Sequence, residues 1–178
     1  MQVSMLRGMA IGASAVVGLA LIAPSARAQA QTSGTRFGIE ADFATNNSIG
    51  IGAGAFVKFH LAEISEHPIT GRVVFDYYFP SSNNFGGYSY KYWELAADGL
   101  FDITNRASTT KPYVGAGLTY AHSSFGSGYC NGCGGSSTGL HIVGGINFMG
   151  DKKLMPFVEA KIELSSGSEF ILKAGIHF

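Results

Sequence analysis

The chain has little charge. Its 178 residues carry 12 basic and 12 acidic side chains, 13% of the total. Neither sign is in excess, so there is no electrostatic footprint for nucleic acid. No long charge run exists, and aromatic residues at 12% do not fit a disordered chain. Past the N-terminal region no segment reaches the roughly 20 apolar residues that a membrane helix requires. The two cysteines, Cys130 and Cys133, lie far from the N-terminal apolar run, which removes a lipid anchor placed there. What the chain has in quantity is glycine, 25 residues, together with 13 Phe and 8 Tyr.

Arg7 precedes the run GMAIGASAVVGLALIA, and PSARAQA follows it, with Ala26 and Ala28 in the A-x-A spacing that signal peptidase needs. Residues 1–28 read as a secretory signal peptide and 29–178 as one domain. A transmembrane anchor is the other reading of that run, but it is short, rich in glycine and lacks a basic stop-transfer flank. Without Arg7 and Arg27, 10 basic residues face 12 acidic ones, a mature charge of about −2.

Alternation with period two dominates the remainder, and on a pleated strand it sends successive side chains to opposite faces. Eight runs are predicted: 35–44, 49–60, 71–79, 90–103, 112–122, 138–148, 155–165 and 169–178. Sorted by parity, one face collects residues such as Ile39, Ala41, Ile51, Val73, Phe75, Leu95, Leu118, Leu140, Ile142, Val158 and Leu172, none of them charged. The other collects Arg36, Glu40, Asp42, Lys58, Arg72, Asp76, Glu94, Asp98, Asp102, Glu159, Lys161, Glu163 and Lys173, interleaved with Gly38, Gly52, Gly54, Gly115, Gly117, Gly145 and Gly175.

Parity alone does not say which face points inward. A soluble barrel buries the apolar face, and a transmembrane barrel turns it to lipid and fills the lumen with the polar one. Export, an even strand count that leaves no edge in lipid, and aromatic residues near both ends of the apolar face favour lipid. Those aromatics are Phe37, Phe59, Phe101, Phe148 and Phe178 at one rim, and Phe43, Phe79, Trp93, Tyr120 and Phe170 at the other. The expected fold is all-β: an eight-stranded antiparallel up-and-down transmembrane barrel with both termini in the periplasm.

The final stretch, EFILKAGIHF, places Phe170, Leu172, Ala174 and Ile176 at alternate positions before Phe178. It resembles the closing strand of bacterial outer-membrane barrels, which the barrel assembly machinery reads. KPYVGAGLTYAH, residues 111–122, is similar to a strand that recurs in small barrels of the OmpA, OmpX and OmpW type. The resemblance implies an outer-membrane location in a diderm bacterium, contact with outer-membrane lipid and lipopolysaccharide, and a monomer. One departure stands out: such barrels have short periplasmic turns, yet LAEISEHPIT, residues 61–70, falls on the periplasmic side.

For the polar face, the structural expectation is an ion-pair network of Arg36, Glu40, Asp42, Lys58, Arg72, Asp76, Glu94, Asp98, Glu159, Lys161, Glu163 and Lys173, because unpaired buried charge is costly. A conduction path is the functional alternative. Cys130 and Cys133, flanked by His122 and His141, suggest a Cys₂His₂ metal site, but the two histidines belong to opposite faces. In an oxidising compartment a Cys130–Cys133 disulfide is expected instead, with free thiols the remaining option. His122 and Ser124 have the spacing of outer-membrane lipid A deacylases, which the resemblance brings in. Phe125 stands where that pattern has Asn, and no acid is nearby to fix the imidazole tautomer. GIGAGAF, residues 50–56, lies in a strand and makes no phosphate cradle. His60 and His177 read as polar filler of the lumen. No catalytic, metal or cofactor site is expected. The role is structural or surface-interacting with a largely plugged lumen, or, as in OmpW-like barrels, a narrow channel or lateral pathway for small or hydrophobic solutes.

Overall fold

A computed structural model describes residues 34–45, 50–65, 67–80, 90–103, 110–125, 134–148, 154–164 and 169–178. Residues 1–28, Cys130 and Cys133 lie outside these, as do the signal-peptide and disulfide expectations that rest on them.

Eight strands close into an antiparallel barrel in chain order: β1 (Arg36–Ala44), β2 (Ile51–Ile64), β3 (His67–Phe79), β4 (Tyr90–Asp102), β5 (Thr110–Phe125), β6 (Gly134–Phe148), β7 (Met155–Glu163) and β8 (Phe170–His177). Each pairs with its sequence neighbour, and β1 meets β8 to finish the ring. Phe37 and Phe178 exchange backbone bonds of 2.9 and 3.2 Å, so the aromatic last residue is sewn into the seam.

The predicted parity decides which face is which. β8 reads exposed at Phe170, Leu172 and Ala174 and buried at Ile171, Lys173 and His177. Leu118, Leu140, Ile51 and Phe79 are all about 60% exposed on the outside, whereas Arg72, Asp76, Glu94 and Lys161 are at most 2% exposed inside. This inverts a soluble protein, in which charged residues are almost never fully buried unless paired. An outward belt of this kind suits hydrocarbon. Aromatic contacts stiffen its rim: Trp93 lies 6.0 Å from Phe75, 5.7 Å from Tyr120 and 5.4 Å from His122 between ring centroids.

Residues 61–65 and 67–70 are not a loose segment. β2 runs on to Ile64 and β3 starts at His67, and Ser65 takes a positive φ of 49°. The register shifts between His60 and Ala62, and this bulge interrupts the alternation. His60, on the near side of the bulge but past Lys58, the last residue of β2 paired with β1, is exposed, not the lumen filler its parity predicts. His67 Nδ1 sits 3.0 Å from the Asp102 carbonyl and the ring stacks near Phe101, which ties the hairpin to the end of β4.

The strands differ in length. β7, β8 and β1 have 9, 8 and 9 residues, and β5 and β6 have 16 and 15. At ~3.4 Å per residue and a tilt near 40°, the short strands rise about 20–23 Å, close to the apolar band of a bilayer, and β5 rises about 40 Å.

Candidate functional site: the charged lumen

An eight-stranded barrel has an interior that side chains just fill, and here they reach across it. Arg72 on β3 donates through Nη1 and Nη2 to Glu159 on β7 at 2.7 and 2.9 Å, and through Nε to Asp98 on β4 at 2.6 Å. Lys161 on β7 donates to Glu94 on β4 at 2.7 Å, and its Nζ lies 2.9 Å from Glu163 Oε1 in an ion contact without hydrogen-bond alignment. Lys173 on β8 donates to Glu40 on β1 and Asp76 on β3, both at 2.6 Å, and stands 3.6 Å from Asp42. Each of these cations serves two or three carboxylates, and walls three or four strands apart are tied together.

The register explains how partners on non-adjacent strands meet. Asp98, Gly117 and His141 occupy one cross-strand row, and His141 Nε2 lies 2.6 Å from Asp98 Oδ1 directly over the glycine. A Cβ at position 117 would stand 2.7 Å from that same Nε2. Tyr113, Gly145 and Glu159 repeat the device, with Tyr113 Oη donating to Glu159 at 2.7 Å. The missing side chain is what lets its two neighbours bond.

Two of the expected network members behave differently. Arg36 is exposed at the terminal rim, and its Nη1 points at Met155 Sδ, 3.4 Å away, instead of at a carboxylate. It lies at the first position of β1, where the wall no longer encloses it. Lys58 is buried, but its Nζ faces the rings of Phe56, Tyr113 and Phe157 at 5.1, 5.4 and 5.1 Å, and no ion pair joins it among the described residues. Three π faces stabilise a cation when it is kept from water.

Other participants carry no formal charge or were hidden by position. Tyr92 donates to Glu94 at 2.7 Å, and Thr119 Oγ1 meets His141 Nδ1 at 2.8 Å. Glu169, just before β8, is buried at the other rim. Its place in the inward series 169, 171, 173 is the signal that would have found it; nothing in the sequence marks the tyrosines beyond their parity.

His122 and His141 point through the wall in opposite directions. His141 is inside, whereas His122 Nδ1 contacts Ser136 Oγ on the outer face at 2.9 Å, and Tyr120 Oη donates to the same oxygen. The hydroxyl facing His122 is thus Ser136 across the strand pair, not Ser124, which pairs with Gly134. A second concavity lies on the outside of the wall. A groove of about 740 Å³ runs over β1, β6, β7 and β8, lined by the small Ala41, Gly144, Ala160 and Ala174 together with the paired Phe43 and Leu172.

Eight antiparallel strands in chain order, closed edge to edge, with an ionic interior and an apolar exterior, match solved structures closely in layout. Neisserial surface protein A is 19% identical with a TM-score of 0.60 over 82% of this chain and 96% of that one. The N-terminal β-barrel domain of Pseudomonas aeruginosa OprF gives 14% and 0.58 over 82% and 98%. The attachment invasion locus protein Ail of Yersinia pestis gives 16% and 0.53 over 82% and 97%. This chain has the fold of a small outer-membrane β-barrel. No protein-family model matches it, and no curated protein matches it either. At such identities the likeness extends to the barrel and leaves the chemistry of the lumen to this chain's own residues.

Proposed function

We propose that the protein is an integral outer-membrane barrel, exported by its first 28 residues, with a structural or surface-interaction role and a lumen closed to solute. The observation that carries this is the pair of transverse ties, Arg72 to Glu159 and Lys161 to Glu94, whose side chains are at most 2% exposed. A conducting lumen would need those pairs solvated and displaced toward the wall. The outer surface supplies the membrane contact, and its hydrocarbon belt suits a monomer surrounded by lipid and lipopolysaccharide.

The test is electrical. The refolded mature chain in planar bilayers should give no stepwise current; discrete single-channel openings would overturn the closed lumen. A lateral route for hydrophobic molecules is the second reading, favoured by the groove over Ala41 and Ala174. The β1–β8 and β7–β8 ladders beneath that groove are continuous, so on this reading a hydrophobic molecule would travel along the outside of the wall and not through it. No enzymatic step is proposed. Lipid A from cells that express the protein should keep its full set of acyl chains.

A further inference from the structure

Eight buried carboxylates face four buried Lys and Arg side chains in the lumen, and the imbalance is greatest around Lys173. Glu40, Asp42 and Asp76 share that single cation, so this corner of the barrel sets three carboxyl groups against one positive charge. Four of the six carboxylate oxygens, Glu40 Oε2, Asp42 Oδ1 and Oδ2, and Asp76 Oδ1, are buried with no hydrogen-bond partner. With all three ionised the residual charge is near −2, which a low-dielectric interior does not hold unless a bound cation or protons neutralise it.

A separate group points to the same place. Tyr78 is fully buried, and its hydroxyl also lacks a partner. It occupies the cross-strand row Asp42, Gly52, Tyr78, so only a glycine separates it from Asp42. A Cβ at Gly52 would stand 2.8 Å from the Tyr78 ring and 3.2 Å from Asp42 Oδ2. In the rows through Gly117 and Gly145 the flanking side chains bond each other over the gap; in the row through Gly52 neither flanking side chain has a hydrogen-bond partner. Glu40, Gly54 and Asp76 form the adjacent row, and Asp76 Oδ1 takes the space that a side chain at Gly54 would fill.

We infer that Glu40, Asp42 and Asp76, with the Tyr78 hydroxyl, form a binding site for a hard divalent cation of the calcium class. One ligand oxygen from each carboxylate lies within 4.8 Å of the others, and two ligands on opposite sides of a calcium ion at about 2.4 Å are about 4.8 Å apart. The donor set is all oxygen, which selects hard cations over zinc or copper. Two positive charges cancel the local excess, and Lys173 keeps its hold on Glu40 Oε1 and Asp76 Oδ2 because the unpaired oxygens are the other ones. Calcium's tolerance of irregular coordination suits a shell that Lys173 limits on one side. The ion would fasten β1 to β3 beside the seam.

The probe is calcium itself. Full-length mature protein is refolded into detergent with calcium, passed over a desalting column, and its retained metal measured; about one equivalent is expected, because buried carboxylate sites of this kind hold calcium tightly. Asp42→Asn removes one charge without changing shape and should weaken retention by about tenfold or more. Glu63→Gln, on the β2–β3 hairpin, should retain as much as the natural chain. Terbium, excited through tyrosine, gives a second readout: luminescence that calcium displaces, and that Tyr78→Phe reduces. That second variant serves if Asp42→Asn does not fold. Absence of retained calcium and of tyrosine-sensitised luminescence in the natural chain would overturn the site and leave protonated carboxyls as the means of neutralising it. Equal calcium retention by folded Asp42→Asn would overturn it as well.

Discussion

Replacing Arg72 by Met tests whether the lumen is a dry ionic core. The guanidinium makes three charge-assisted bonds, to Asp98 and twice to Glu159. At about 1.5–3 kcal/mol each, simple addition gives about 4.5–9 kcal/mol. The true cost is lower, since Glu159 keeps the Tyr113 hydroxyl and Asp98 keeps His141. Breaking a buried pair by deleting one partner costs about 3–5 kcal/mol, and that is the expected loss. Urea titration of the barrel in lipid vesicles measures it, with Trp93 fluorescence as the probe, because the chain has a single tryptophan. Arg72→Lys should fall between, keeping the charge but losing the fork that serves two carboxylates. If Arg72→Met costs under about 1 kcal/mol, the size of a solvated pair, water fills the lumen and the reasoning fails.

Two further outcomes follow from the faces and the rim. Leu118→Arg, midway along β5 and 62% exposed, should destabilise insertion by about 2–4 kcal/mol, while Phe79→Arg near the rim should cost about 0–1 kcal/mol; equal costs in vesicle refolding would contradict the lipid-facing belt. Glu169 lies outside the strands, and burial first, then the charges of Glu94 and Glu163, push its carboxyl up to about 7 from an ordinary 4.5. The folded chain then holds a proton that the unfolded chain releases, so between about pH 4.5 and 7 this residue makes stability fall as pH rises, with no further change above. Glu169→Gln should remove that slope from the urea midpoints; an unchanged slope would show that another group causes it.

Much of the fold was legible because period two constrains every strand at once. Ile171, Lys173 and His177 could be assigned inward, and Leu172 and Ala174 outward, before any register was known. Partners could not. Parity says that Arg72 faces the lumen, but which carboxylate it reaches depends on strand stagger, which places Glu159 across the barrel from it. The same holds for the glycine rows: parity places Gly117 and Gly145 on the charged face, and only the cross-strand register reveals each as a gap between two bonding partners. Arg36 failed for a simpler reason, since a strand's first residue has the right parity without an enclosing wall. The bulge after His60 has no sequence mark, so the hairpin extension read as a loop. Lys58 shows that a buried cation need not find a carboxylate when aromatic faces are nearer.

The unequal strand lengths bear on the membrane more than on the protein. Lipids that touch β7, β8 and β1 meet a sill roughly half the height of the wall at β5 and β6. Fatty chains along the low side match that height, since a misfit costs fractions of a kcal/mol per Å. The excess of β5 and β6 is Ser and Gly, from Ser123 to Ser124 and from Gly134 to Ser137, and it stands clear of hydrocarbon as a lip raised on one side of the mouth.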